Sequence, residues 1–317
     1  MDGIIQASLR GIDSHGIRLF PHYIQGFNKG RLNKNPKYHF KKTTSGTGIF
    51  DANHAPGHAA GIEAMSKAIE LAENNGIAAI SVCNSSHFGA AAYYGFKAAE
   101  KDMIGLSFTQ ATAHVLSYNG IQPFFGNNPI CMVAPAEKEG PFCLDMATTI
   151  TTFNKVEIYK ESGKNLPNGW AVDNSGNETI DPKNVFSLLP IGGYKGFGLS
   201  MMVDILCALL SGSKYGPDTS PMFNNDMKEK RYLGHYFIAI NIAAFVKPAR
   251  FKQRMQEMID RLRSEPKNDK NGHPVIVPGD PEKNYLEERI KFGIPVSKPF
   301  VNVLNQLFAD YDLEDRI

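Results

Sequence analysis

Two histidines stand in settings suited to proton chemistry. His15 lies in Asp13-Ser14-His15-Gly16, between small polar residues and a glycine, with Arg18 close by. His87 follows an apolar run, in Ser85-Ser86-His87-Phe88-Gly89, and strand ends of α/β folds are common places for ligands. An imidazole near its neutral pKa can give or take the proton that accompanies hydride transfer. Taken singly, each is more often a satisfied structural residue. Asn53-His54 and His58 read as loop contacts. No HExxH and no two-histidine-one-carboxylate spacing occurs, so no metal site is expected.

Three further patterns have the residue types of a ligand site. The glycine-rich 192–198 opens a helical stretch and carries Lys195. Backbone N–H groups, a helix N-terminus and a cation would together suit a phosphate or carboxylate, although a tight loop with a solvated lysine has the same pattern. Asp145-Met146-Ala147-Thr148-Thr149 puts a carboxylate among small residues, beside a ligand or as a helix cap. Gly279-Asp280-Pro281 is a turn by composition. No GxGxxG follows a strand and no Walker A sequence occurs.

The elements that must carry these residues alternate in the first third. The spacing of Met65, Ile69 and Ala72 predicts a helix over 56–72, stopped by Asn74-Asn75-Gly76. A buried strand is expected over 77–83, a helix over 90–101 and a strand over 104–108, which argues an α/β fold. Turn dipeptides crowd the middle, with a short apolar strand at 130–134 between them. Leu199, Met202, Val203, Leu206 and Leu210 keep one helix face, Ile238, Ile240 and Ile242 alternate like a half-buried strand, and 251–263 is an amphipathic helix. A polar linker is expected over 266–272. No repeat or low-complexity tract is present.

The 317 residues suit two domains, or one large core with a satellite. At 42% apolar and 21% charged the chain can bury a core. Lys and Arg total 34 against 32 Asp and Glu, a formal charge of +2. That balance gives no field for nucleic acid or anionic membrane. No signal or membrane segment is read: 199–210 is short for a bilayer and carries Asp204. Cys83, Cys131, Cys143 and Cys207 are far apart without a CxxC pair, as expected of reduced thiols in a cytoplasmic protein.

Taken in order, LRGIDSHGIRLFPHYI (9–24), NSSHFGAAAYYG (84–95), FGNNPI (125–130), DMATT (145–149), GWAVDNSGNETIDP (169–182), GGYKGFGLSMMVDIL (192–206) and PGDPEKNYLEERIKFGIPV (278–296) resemble the non-Rossmann malate/L-lactate dehydrogenase family. The ureidoglycolate dehydrogenase branch is the most similar in the middle of the chain. The resemblance implies an α/β, non-Rossmann fold whose nicotinamide-binding domain has a largely antiparallel sheet, which accounts for the missing GxGxxG. It divides the chain into a substrate and dimerisation region, 1–86 with 270–317, and an NAD(P)-binding domain, 87–269.

The activity so implied is NAD(P)-dependent interconversion of a 2-oxo acid and an L-2-hydroxy acid. Oxaloacetate and L-malate are the first-choice pair on the breadth of the family. Ureidoglycolate or another 2-oxo acid is the alternative substrate, and a non-catalytic truncated relative the alternative class. By motif, His15 and His87 become the catalytic histidines, neither singled out as proton donor. Asp145, Met146, Ala147, Lys195, Gly279, Asp280 and Pro281 become cofactor contacts. Arg18, with Ser14, is the candidate for the substrate carboxylate, which a guanidinium binds bidentately. The expected partner is a second copy of the chain, as a homodimer.

The chain departs from the family in three places. Many relatives have the arginine at the position of Leu19, and the ureidoglycolate branch has a cofactor-contacting serine at Ala111, for which Thr109 or Thr112 would have to substitute. Relatives also carry more helical sequence before the DSHG motif: either the start codon is mis-set or a packing element is lacking, and in the second case stability or dimerisation is expected to suffer.

Overall fold

Every fourth residue along one stripe of the first long helix is alanine: Ala60, Ala64, Ala68 and Ala72 are fully buried. Small side chains at that spacing let a helix lie close on a sheet, and they set the architecture seen in the computed structural model. It describes residues 1–223, 226–267 and 272–313. Helices α1 (Asp2–Leu9) and α2 (Phe20–Lys29) bracket two 3-10 turns, Asp13–His15 and Ile17–Leu19. A hairpin of β1 (His39–Lys42) and β2 (Thr47–Asp51) leads into α3 (Gly57–Asn75), β3 (Ile77–Ser85), α4 (Ala92–Ala99) and β4 (Met103–Thr109). Next come β5 (Val115–Leu116), β6 (Pro123–Phe125), β7 (Ile130–Ala134), β8 (Phe142–Met146), α5 (Phe153–Glu161), β9 (Ala171–Val172) and β10 (Ser187–Leu188). The chain continues with α6 (Tyr194–Asp204), β11 (Leu233–Asn241), α7 (Pro248–Arg263), α8 (Asp280–Phe292) and α9 (Lys298–Asp310).

Seven strands form the main sheet, in the order β1-β2-β3-β11-β4-β7-β8. All its pairings are antiparallel except β2 with β3, the two joined through α3. This is the mixed, antiparallel-dominated α/β sheet expected of the resemblance, and it takes strands from both sides of the 86/87 boundary. Four short strands, β6-β5-β10-β9, make a second sheet, with Leu188 packed beside Val156 of α5.

Helices α3 and α4 cover one face of the main sheet, around Met65, Ile80, Tyr94 and Phe237. Full burial of side chains this large contributes about 1.5–3 kcal/mol each. The other face holds Phe108, Val203 and Cys207 against Ile238. Strand β11 is therefore covered on both faces, with Phe237 and Ala239 in the main core and Ile238 on the opposite side.

Two expectations need adjustment. Helix α3 runs through Asn74-Asn75 to a stop at Gly76, φ 77°. Asn75 sustains the last turn by donating from its side chain to Leu71 O (2.7 Å) and Ser45 O (2.8 Å). The apolar stripe of α6 is not its buried face. Ser200, Val203, Asp204, Cys207 and Ala208 are buried, whereas Met202, Leu209 and Leu210 are exposed. A π-helical segment at Ile205–Leu209 widens the spiral there, and Asp204 turns inward to accept from Asn128 Nδ2 (3.2 Å) and Gly216 N (2.9 Å). Of the polar linker over 266–272, residues 268–271 lie outside the described residues. Among the described residues no helix is long and apolar enough to cross a membrane, and no group of three or more His, Cys, Asp or Glu could hold a metal ion.

Candidate active site

His15 sits on the Asp13–His15 turn, and three elements fix that turn. Arg289 of α8 reaches across to Asp13 with both terminal nitrogens, at 2.6 and 2.9 Å, and also donates to Ser8 O. Asn154 Nδ2 of α5 donates to Ser14 O at 3.3 Å. From α1, the Ser8 hydroxyl accepts from Ile17 N at 2.9 Å. Gly16 is required there, because a Cβ would fall 2.0 Å from Ser8 Oγ. Ser14 Oγ lies 2.9 Å from His15 Nδ1, which ties that ring nitrogen.

His87 hangs from the loop after β3. Its neighbour Phe88 is buried, stacked 4.8 Å from the ring of His235, and its carbonyl accepts from Tyr94 Oη. His235 spans three strands, with Nδ1 2.7 Å from Thr109 Oγ1 of β4 and Nε2 2.8 Å from Ser85 Oγ of β3. His87 Nδ1 is held 2.7 Å from Tyr23 Oη of α2. The rings of His15 and His87 stack with centroids 5.5 Å apart. Two imidazoles from opposite ends of the N-terminal third thus share one site, each with Nδ1 engaged.

Burial holds both rings neutral. His15 is pushed down to about 4. His87 falls well below the usual histidine value through burial and then the nearby positive groups His15 and Arg231. His58, beside Tyr23, falls to about 3 for the same reason. Tyr23 is itself buried and its pKa is raised, so its hydroxyl keeps its proton and, as a phenol, can either donate to His87 Nδ1 or accept from it. The neutral tautomer that donates Nδ1–H to Tyr23 leaves Nε2 with a free lone pair, the form able to accept a proton.

Both rings open onto a cleft of about 890 Å³, a size suited to a cofactor and a small substrate. Ser14, His15, His87, Asp145, Ala147, Gly279 and Pro281 all line it, as do Thr109 and Thr112. The stretch Gly89 to Ala92 gives it a wall of small side chains that a flat ring can approach. Asp145 accepts from Ala92 N at 2.8 Å, and burial lifts its pKa to about 6. The 277–281 turn closes one end. Asp280 faces away from the cleft, accepting from Val277 N (2.9 Å) and pairing with Arg263 (2.6 Å), which also meets Glu139 (2.7 Å).

Arg18, Met146 and Lys195 do not line the cleft. Arg18 is exposed and lies 4.0 Å from Glu161, and Lys195 is on the exposed start of α6. Leu19 is buried with Ile4, Tyr23 and Leu32.

Sequence reading passed over Tyr23, Asn154, Arg289 and Arg231. Tyr23 stands within a quoted motif, but its partner is 64 positions away. Arg231 ends the charged run Lys228-Glu229-Lys230-Arg231, which reads as a solvated face. It is instead 3% exposed and lines the cleft. The strand beginning at Leu233 directly after that run was the one available signal.

Comparison with known proteins identifies the family of the chain. Residues 1–305 match the family model described as malate/L-lactate dehydrogenase. A malate dehydrogenase of Pyrococcus abyssi is 37% identical over 96% of this chain and 86% of its own length. The ureidoglycolate dehydrogenase (NAD(+)) of Escherichia coli O157:H7 is 34% identical over 82% of this chain and 74% of its own. The crystal structure of malate dehydrogenase from Entamoeba histolytica superposes with a TM-score of 0.93 at 32% identity, covering 100% of this chain and 91% of that one. The chain belongs to the malate/L-lactate dehydrogenase family.

Proposed function

We propose that the protein interconverts a 2-oxo acid and an L-2-hydroxy acid with a nicotinamide cofactor, oxaloacetate and L-malate being the first pair to assay. The observation that carries the reading is the stacked His15–His87 pair in the cleft, each Nδ1 tied and each ring neutral. Likeness to the Pyrococcus abyssi malate dehydrogenase supports the choice of substrate. Likeness to the Escherichia coli ureidoglycolate dehydrogenase supports ureidoglycolate as the second.

In oxidation, a neutral imidazole takes the hydroxyl proton of the substrate; in reduction, the protonated ring returns it to the developing alkoxide. Tyr23, by accepting from Nδ1–H of His87, orients that ring and leaves its Nε2 free to take the proton. The residues that would hold a nicotinamide cofactor are the small wall from Gly89 to Ala92, Asp145 and Ala147, and Gly279 and Pro281, all of which line the cleft. Bound there, the nicotinamide supplies or accepts the hydride. The NAD(+) in the name of the Escherichia coli relative favours NAD over NADP as the first cofactor to test.

The test follows absorbance of NADH and NADPH with purified protein against oxaloacetate, pyruvate and other 2-oxo acids, and of NAD and NADP with ureidoglycolate. Turnover that drops about 100-fold or more in folded His15→Asn or His87→Asn protein is expected. Absence of turnover with every pair would leave the non-catalytic reading standing.

A further inference from the structure

Arg231 is a buried cation with its charge left uncompensated. Its Nε and Nη2 donate to Ser220 O at 3.1 and 2.8 Å, and Nη2 also donates to Thr112 Oγ1 at 3.1 Å. These bonds fix the plane of the guanidinium. Among the described residues no carboxylate forms an ion pair with it. The charged neighbour that acts on it most is another cation, Arg31. Arg31 binds the carbonyls of Met222 (2.7 Å) and Glu229 (3.0 Å) and so ties down the same segment. Burial and the charge of Arg31 pull Arg231 down to about 9.

A buried charge without a partner is costly unless the function supplies one. Here the charge lines the cleft with His15 and His87, and it is close enough to His87 to depress that ring. The other arginine of the cleft, Arg10, lies over the Phe96 ring at 4.7 Å and is bonded to Gln6. Pro221, Met222, Phe223 and Leu233 add apolar surface to the cleft that Arg231 lines, and a low-dielectric lining strengthens any ion pair formed there.

We propose that Arg231 is the residue that binds the substrate carboxylate, held flat by Ser220 and Thr112 so that its Nη1 edge faces an anion beside the histidine pair. This rests on the 2-oxo-acid reading and deepens it: the ligand recognised is a carboxylate one bond from the reacting carbon. The anchor comes from the start of β11, and the exposed Arg18 has no part in it.

The probe is oxamate, a non-reacting 2-oxo-acid mimic, titrated calorimetrically into the full chain with and without saturating NADH. Wild type is expected to bind it. Arg231→Gln should bind about 10- to 100-fold more weakly, as expected for loss of a charge-assisted pair, and Arg231→Lys should fall between. Thr112→Val, which leaves the charge in place, should weaken binding by a few-fold and keeps the test open if Arg231→Gln does not fold. With 2-oxo acids the same loss should appear in KM far more than in kcat. Equal oxamate affinity in wild type and Arg231→Gln overturns the proposal, as does failure of wild type to bind oxamate in either condition. So does loss of binding in Arg18→Gln while Arg231→Gln retains it. Oxamate binding that needs Arg231, in a protein that turns over no 2-oxo acid, would uphold the anion site and sink the dehydrogenase reading alone.

Discussion

Neutral imidazoles in the resting site set how the rate of each direction of catalysis depends on pH. With His15 at about 4 and His87 lower still, the base needed for alcohol oxidation is already in its active form at pH 7. We expect kcat/KM for the hydroxy acid to stay level from about pH 8 to about pH 6. It should fall only as pH approaches the lowered histidine values, so an acid limb near 6.5 would contradict the desolvated pair. Reduction requires the protonated ring, so its kcat/KM should drop about tenfold per pH unit over the same neutral range. Tyr23→Phe removes the hydroxyl 2.7 Å from His87 Nδ1 and leaves a buried nitrogen unpaired. That costs about 1–3 kcal/mol, or about 10- to 100-fold in kcat, with the fold kept. Unchanged kcat in this variant would remove Tyr23 from the site. His15 and His87 were legible because each lies in a short polar motif beside an apolar run. Tyr23 and Arg231 were not, since a tyrosine in an amphipathic helix and an arginine in a charged run have commoner structural readings. Their importance comes from contacts made only after distant segments meet.

Elements with one strong local pattern were the legible ones. Strand β7 falls on the expected 130–134, and α3, β3, α4, β4 and α7 appear within a few residues of their apolar periodicity. Pairing order was not legible, because β11 inserts between β3 and β4 from far along the chain and no local signal specifies a non-local neighbour. The stripe on α6 misled because apolar spacing does not say which face a sheet will cover. At the far end of the cleft, the turn before α8 depends on Gly279, whose φ of 99° suits glycine. A Cβ there would also fall 3.2 Å from the backbone nitrogen of Cys143 on β8. Gly279→Ala should therefore destabilise the protein by about 1–3 kcal/mol and lift the turn away from β8. On the proposed reading it should also weaken NADH binding. Urea unfolding and NADH fluorescence titration measure the two effects, and a variant matching wild type in both would show the turn to be tolerant.

Across the whole molecule the histidines make the fold sensitive to mild acid. His15, His22, His54, His58, His87, His114 and His235 all have lowered pKa values, with burial as the largest cause in each. In the unfolded chain these rings titrate near about 6.5. Between that value and the lowered ones the unfolded state binds more protons, so stability falls as pH falls, by up to about 1.4 kcal/mol per pH unit for each such ring. His114, which is exposed, contributes less. Asp145 and Asp204 act the other way, since burial raises their pKa values and the fold then holds the extra proton. Two carboxyls do not offset the half-buried rings His15, His22, His58 and His87 together with the buried His235. Glu139 adds a later step: its bonds to Arg263 and Lys283 hold it down to about 2, so its stabilisation is full above about pH 4.5 and disappears as pH falls through about 2. Stability from urea unfolding should therefore decline already between about pH 6.5 and about pH 5, before ordinary carboxylates titrate. Replacing His235, bonded at both nitrogens between Thr109 and Ser85, with Gln should make that decline shallower while lowering stability at pH 7. A free energy of unfolding that is flat from pH 7 to pH 5 would mean that the rings are protonated in the folded state, and with it would fall the neutral His15–His87 pair on which the proposed proton transfer depends.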